Sequence, residues 1–107
     1  MKLAFLFLPV SDLAAAEELY RGRLGLDEAG REGDGTVALA SPGGDVRLML
    51  STDPYPAGPM FEVADAAAWE AAHDDIPVAV PRYAIPGGEV VGFSDPGGNV
   101  FYVFDQA

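Results

Sequence analysis

The sequence predicts an α+β fold in which two consecutive βαβββ modules make up a single domain of 107 residues. Three observations lead to this prediction. Apolar runs of strand length alternate with turn residues, a short helical pattern follows the first strand of each half, and segments of the first half recur in the second. We place the first module at about 1–51, a connector at about 52–58 and the second module at about 59–107.

The first module begins with a strand and an amphipathic helix. Residues 3–9 form an apolar run of strand length, and the helix is expected over 13–23. Ser11 or Asp12 can cap its first turn, and Gly25 follows at the position where a left-handed residue ends a helix. Glycine-containing turns then separate three short strands, expected at about 27–31, 36–40 and 46–51.

The second module follows a connector that holds three prolines and has no periodicity. Residues 60–63 are predicted to form its first strand, and Asp65 is expected to cap a helix over 66–73 that carries Trp69. Trp69 packs either on the sheet or on a partner subunit. Three further strands are predicted at about 78–84, 89–94 and 100–104.

Two sequence matches indicate that the second module repeats the first. Residues 10–15 (VSDLAA) match 63–68 (VADAAA) at an offset of 53, and 42–46 (PGGDV) match 96–100 (PGGNV) at an offset of 54. Two matches at nearly one spacing are typical of a duplicated module. The alternative is that Pro-Gly-Gly recurs only because it is common turn chemistry.

Composition excludes several classes of function. The chain has 17 acidic and 6 basic residues, and its formal charge of −11 disfavours nucleic acid and anionic membranes as partners. It has no Cys and one His, so thiolate chemistry and Cys- or His-rich metal centres are not expected. The N-terminal apolar run is far shorter than the ~20 residues of a membrane span, and we interpret it as a strand of a cytoplasmic protein.

Motifs spread over nearly the whole chain resemble the vicinal oxygen chelate superfamily, which contains glyoxalase I, bleomycin-resistance proteins and extradiol dioxygenases. The motifs are VSDL at 10–13, LY and LGL at 19–20 and 24–26, FEVAD at 61–65 and FSDPGGN at 93–99. The resemblance implies that the two modules form a cupped eight-stranded half-barrel, completed as a homodimer, with the ligand cavity inside the cup. A ferredoxin-like βαββαβ fold is the rival interpretation, but it has fewer strands than the sequence predicts.

The resemblance also implies four metal-ligand positions, one on each of four cavity-lining strands. Carried over by motif, these positions fall on Phe5, Met49, Gly58 and Tyr102. None of these residues offers the carboxylate, imidazole or amide group that a divalent metal takes as ligand. We therefore expect no metal and no other cofactor, and enzymatic activity is in doubt.

Strand alternation predicts which side chains line the cup, because every second residue of a strand faces the same side. Glu62 and Arg47 are the candidates for polar contacts with a ligand in a lining that is otherwise apolar and aromatic. The opposite face is expected to pack on the helices. Alternatively, the cup is filled by its own side chains. The predicted ligand-binding residues are Phe5, Phe7, Arg47, Met49, Met60, Glu62, Tyr102 and Phe104.

These expectations predict a metal-independent protein that binds a small organic molecule, aromatic or cationic, and acts as a homodimer. One alternative is a small lyase, isomerase or dioxygenase whose metal ligands lie elsewhere. Another is a structural dimer module without a ligand. His73, in the last turn of the second helix, is expected to be a solvated helix-end residue, with a catalytic base as the less favoured interpretation.

Overall fold

A computed structural model describes residues 1–107, and the chain divides into two compact units. The N-terminal unit comprises Phe5–Ala57, and the C-terminal unit comprises Gly58–Ala107 together with Met1–Ala4. The eight strands and two helical segments occur in the predicted order, so each half of the chain reads βαβββ. The predicted α+β fold is confirmed. No helix in the chain combines the length and the apolar character needed to cross a membrane.

Four strands form the sheet of the N-terminal unit in the order β2-β3-β4-β1. From Phe5 onward β1 pairs in parallel with β4, while β3 pairs antiparallel with both β2 and β4. The elements are β1 (Lys2–Pro9), α1 (Leu13–Glu17), which continues as a π-helix (Glu18–Arg23), β2 (Asp27–Glu32), β3 (Thr36–Ala40) and β4 (Arg47–Ser51).

The first helical segment covers the predicted range but changes its winding midway. Asp12 is the cap, since its side chain accepts a hydrogen bond from the Ala15 N–H at 3.0 Å. From Glu18 the turns are π-helical, and the Leu24 N–H donates to the Leu19 carbonyl at 3.0 Å. Gly25 then ends the segment at φ 79°, as predicted.

One face of this sheet packs on the helix. Leu13 of α1 is buried with Val37, Leu39 and Leu50, and partly buried side chains that include Leu8 and Leu48 complete the cluster. Because Leu8, Leu48 and Leu50 pack with a helix residue, this sheet face is the helix-covered one, as strand alternation predicts.

The C-terminal unit repeats this arrangement with the strand order β5-β8-β7-β6. Here β5 runs parallel to β8, and Trp69 of α2 packs against a core of Val91, Phe93 and Val103. The Trp69 and Phe93 ring centroids are 5.3 Å apart, so Trp69 packs on the sheet. The elements are β5 (Gly58–Glu62), α2 (Ala66–Ala72), β6 (Val78–Ile85), β7 (Gly88–Ser94) and β8 (Val100–Phe104).

Two carboxylates fix the start of α2. Asp65 caps it, as predicted, by accepting from the Ala68 N–H at 2.9 Å. Asp105, just after β8, accepts from the Ala66 N–H at 2.6 Å and from the Glu89 N–H at 2.9 Å. The helix is thereby tied to the end of β8 and the start of β7, and its C-cap is His73.

The strand registers show the internal repeat. In the first unit Phe7 of β1 lies opposite Met49 of β4, and in the second unit Met60 of β5 lies opposite Tyr102 of β8. The second pair of residues therefore repeats the first pair at an offset of 53. Ala38 lies opposite Met49 and Gly92 opposite Tyr102, so β3 and β7 recur at an offset of 54. The two offsets seen in the sequence therefore belong to different strands of one repeated unit.

Strand β5 begins at Gly58, two residues before the predicted start at Met60. A Cβ atom at Gly58 would overlap the carbonyl oxygen of Val100 on β8 and would lie 3.6 Å from the Tyr102 ring. The missing side chain is what lets β5 approach β8 so closely at this point. Because three prolines lie nearby, the sequence predicts that Gly58 belongs to the connector.

A carboxylate also closes the turn between β7 and β8. Asp95 Oδ1 accepts from the backbone N–H groups of Gly97 at 2.8 Å and Asn99 at 2.9 Å, and its Oδ2 accepts from the Asn99 side-chain amide at 3.1 Å. These hydrogen bonds, above all the one from the Asn99 backbone, hold the pKa of Asp95 below its usual value because they favour the ionised form.

This turn should stabilise the protein less in acid. The folded-state pKa of Asp95 lies below its unfolded value of about 3.9, so the stabilisation is complete above that value and is lost as the pH falls through the folded pKa. Asp95→Asn keeps an acceptor oxygen but does not titrate. The difference in Tm between the wild type and this variant should narrow between about pH 6 and pH 2. A difference that does not change with pH in thermal unfolding contradicts the assignment.

The close approach at Gly58 gives a second prediction. Gly58→Ala should lower the free energy of unfolding by about 1–3 kcal/mol, because the added methyl group forces β5 away from β8. Gly30→Ala in β2 is the matched control, since a Cβ there has no neighbour within 4 Å. Urea unfolding should show the control unchanged or slightly stabilised. Equal effects of the two substitutions would show that Gly58 is not sterically required.

Candidate functional site

In the N-terminal unit, strand register places the predicted ligand-binding residues on one face. Phe5 lies opposite Arg47, and Phe7 lies opposite Met49, across the parallel pair of β1 and β4. This face is opposite to the one that packs on α1. Phe7 is buried, Phe5 and Met49 are half-buried, and Arg47 is exposed.

In the C-terminal unit the predicted residues pair in the same way. Met60 lies opposite Tyr102, and Glu62 lies opposite Phe104. Met60 is 5% exposed, Tyr102 1% and Phe104 2%, whereas Glu62 is half-buried. The polar group of this face is therefore accessible, while its apolar side chains are covered by the protein itself.

The ring of Tyr102 packs between two glycines on the strands that flank it. A Cβ at Gly58 on β5 would lie 3.6 Å from Tyr102 Cε2, and one at Gly92 on β7 would lie 3.0 Å from Tyr102 Cε1. Val80 closes over the same glycine, since that Cβ would be 2.8 Å from the Cβ of Val80. The aromatic ring thus takes the space that side chains at positions 58 and 92 would occupy.

Sequence reasoning missed Gly92 and Thr36, whereas strand alternation places Ser51 on the same face as Met49. Gly92 lies opposite Tyr102, and the Thr36 and Ser51 hydroxyl oxygens are 3.1 Å apart. Ser51 is 1% exposed and also accepts from the Asp53 N–H at 3.1 Å. The alternation of β3 could have identified Thr36, whereas the role of Gly92 depends on packing. Every buried side-chain polar atom has a hydrogen-bond partner.

The four positions at which the resemblance implies metal ligands do not fit a divalent metal. Phe5 and Met49 lie in the N-terminal unit, and Gly58 and Tyr102 in the C-terminal unit. At Gly58 the overlap with the Val100 carbonyl leaves no room for any ligating side chain. The chain contains no cluster of three or more His, Asp or Glu residues arranged to hold a metal ion.

His73 lies away from this face, at the end of α2. Its ring stacks on Trp69 with centroids 3.8 Å apart and an angle of 16° between the planes. Nδ1 is 2.7 Å from the Trp69 carbonyl oxygen, which can only accept, so Nδ1 carries the proton. His73 is half-buried and packed, and is not simply the solvated residue that its position in the sequence predicts.

Comparison with known proteins rests on structure. No protein-family model matches the sequence, and no curated protein matches it. A glyoxalase/bleomycin resistance protein/dioxygenase superfamily member from Vibrio splendidus 12B01 is similar in structure, with a TM-score of 0.66 at 16% identity, covering 96% of this chain and 97% of that one. A protein described as an NAD-dependent benzaldehyde dehydrogenase from Legionella pneumophila reaches a TM-score of 0.75 at 18% identity, over 96% and 98% of the two chains.

An extradiol ring-cleaving dioxygenase from Brevibacterium fuscum is similar over 100% of this chain but only 33% of its own, with a TM-score of 0.70 at 22% identity. The chain therefore spans about a third of that enzyme. Identities at this level establish the fold and leave the activity to the chemistry of the site. The chain has the same fold as the glyoxalase/bleomycin resistance protein/dioxygenase superfamily member from Vibrio splendidus, so the fold that the resemblance implies is confirmed.

Proposed function

We propose that this chain is a metal-independent small-molecule-binding protein that acts in the cytoplasm as a homodimer. The observation that carries the proposal is the packing at Gly58 in the C-terminal unit. No side chain fits there, and the ring of Tyr102 packs against it from β8. Met49 and Phe5, at the other two positions, have no group that binds a hard or borderline cation.

The composition of the sheet face supports an aromatic or cationic ligand. In the N-terminal unit, the face opposite the helix carries Phe5 and Met49 as partly accessible apolar surface. In the C-terminal unit, the corresponding face carries Glu62 as a half-buried carboxylate. Glu62 forms no ion pair with any Arg or Lys of the chain. A carboxylate without an ion-pair partner, on a chain with a net charge of −11, attracts organic cations.

A structural module without a ligand is the second candidate. It is favoured by the low exposure of the apolar side chains, since Phe7, Met60, Tyr102 and Phe104 each retain 5% or less. Side chains this deeply covered do not contact a ligand unless the face rearranges. The two candidates make opposite predictions for ligand binding.

Metal loading tests the absence of a metal centre. The purified chain should take up less than one equivalent of Zn²⁺, Ni²⁺, Mn²⁺ or Fe²⁺ after incubation and desalting, when bound metal is counted by mass spectrometry. The reason is that no set of ligands with suitable chemistry is assembled. A stoichiometric metal would overturn the proposal and favour a lyase, isomerase or dioxygenase with ligands at other positions.

Thermal shift across a library of cationic aromatic compounds tests ligand binding. A compound that raises Tm should bind about two- to fivefold more weakly to Glu62→Gln, because an exposed or half-buried charge pair contributes up to about 1 kcal/mol. Glu32→Gln, an exposed carboxylate on β2, is the matched control and should leave the affinity unchanged. If no compound in the library shifts Tm, the structural module is the better description.

A further inference from the structure

The same ion bridge joins helix and outer strand in both units. Arg31 on β2 donates to Glu17 at the end of α1, with 2.5 Å between Nη2 and Oε1. Arg82 on β6 donates to Glu70 on α2, with 2.6 Å between Nη1 and Oε1. Glu17 and Glu70 are related by the repeat offset of 53. In each unit, therefore, an Arg–Glu ion pair joins the outermost strand of the sheet to the helix.

The helices differ beyond that bridge. In the N-terminal unit α1 continues through six π-helical residues, whereas α2 of the C-terminal unit ends after seven residues at Ala72. The chain then turns at His73 toward β6. A groove of about 320 Å³ lies between α2, the turn and β6, and we call it the α2 groove. This volume lies at the lower end of the range for small-molecule sites.

The α2 groove has an apolar wall. Ile76, Val78, Ala67 and Ala71 line it, and Phe93 lies buried beneath them. Ala71 is exposed and Ile76 is half-buried, so part of this wall is open to solvent. An apolar ligand body of one ring or a short alkyl chain matches such a wall.

The charged lining of the groove is negative overall. Arg82 is engaged by Glu70 and also by Glu89, whose Oε2 is 3.2 Å from Arg82 Nε. Asp74 also lines the groove, is exposed and takes part in no ion pair. An arginine held between two glutamates contributes little net positive charge, so Asp74 sets the sign of the groove.

His73 adds a hydrogen-bond acceptor. Its Nδ1–H is taken by the Trp69 carbonyl, so in the neutral ring Nε2 carries a lone pair and no proton. His73 lines the α2 groove beside Asp74. A neutral imidazole nitrogen and a carboxylate together accept the N–H groups of an ammonium ion.

We propose that the α2 groove binds a small organic ammonium ion with an apolar body. The ammonium group donates to Asp74 and to Nε2 of His73, and the body packs on Ile76 and Val78. This site is separate from the sheet face invoked in the proposed function, because it is built on the helix-covered side of the C-terminal unit.

Trp69 is the single tryptophan of the chain and reports on this groove through its stacking contact with His73. Its fluorescence should be titrated with three probes of similar size and different charge: 2-phenylethylammonium, 2-phenylethanol and 3-phenylpropanoate. The cation should produce a saturable change at the lowest concentration, and the anion should produce none. Added salt should weaken the binding of 2-phenylethylammonium, because the charge of the groove is exposed to solvent.

Two pairs of variants locate the site. Asp74→Asn should weaken binding of 2-phenylethylammonium about two- to fivefold, and Asp75→Asn, its neighbour outside the groove, should not. Ala71→Phe should fill the groove and abolish the saturable change, whereas Ala72→Phe, on the same helix but not in the lining, should preserve it. The helix positions are exposed, so both phenylalanine variants are expected to fold.

Three results would overturn the proposal: no saturable change with the cation, tighter binding of 3-phenylpropanoate than of the cation, or equal effects within each pair of variants. Glu62→Gln separates the two sites, because it weakens a ligand of the sheet face and leaves a ligand of the α2 groove unaffected. Loss of groove binding therefore leaves the proposed function standing, and the reverse also holds.

Discussion

The parallel pairing of the first and last strand of each βαβββ unit is the constraint on which the other features depend. A parallel pair needs a crossover, and in both units the helix that makes it covers one face of the sheet. The register of that strand pair then determines which side chains of the two strands face the helix and which face the opposite side. Phe7 and Met49, and equally Met60 and Tyr102, share the uncovered face because of this single pairing.

Features set by local chemistry were predictable from the sequence. The two helix caps and the stop at Gly25 depend on residues within a few positions of one another. Asp65 and Gly25 occur as predicted, and Asp12 is the one of the two candidate residues that caps the first helix. The two repeat offsets likewise correspond to real registers, because the connection from β3 to β4 is one residue longer than the connection from β7 to β8. Local patterns of this kind do not depend on distant contacts.

Features set by packing were not predictable. The π-helical continuation of α1, the early start of β5 at Gly58 and the stacking of His73 on Trp69 all depend on contacts that no short sequence window contains. The same holds for the candidate site. Alternation predicts that eight residues face the same way along their strands, but it carries no information on which of them are covered. The ring of Tyr102 packs against Gly58 and Gly92, and this contact depends on neighbouring strands.

Strand β2 limits how copies of this chain can assemble. It lies at the edge of its sheet, all six of its residues are exposed, and its pairing with β3 is irregular between Glu28 and Gly30. Glu28 and Arg31 are held in ion pairs that cross to the helix. A charged and irregular edge resists the addition of a further strand. Growth of the sheet into fibrils by strand addition is therefore disfavoured at this end, and two copies of the chain do not join readily by pairing their β2 strands.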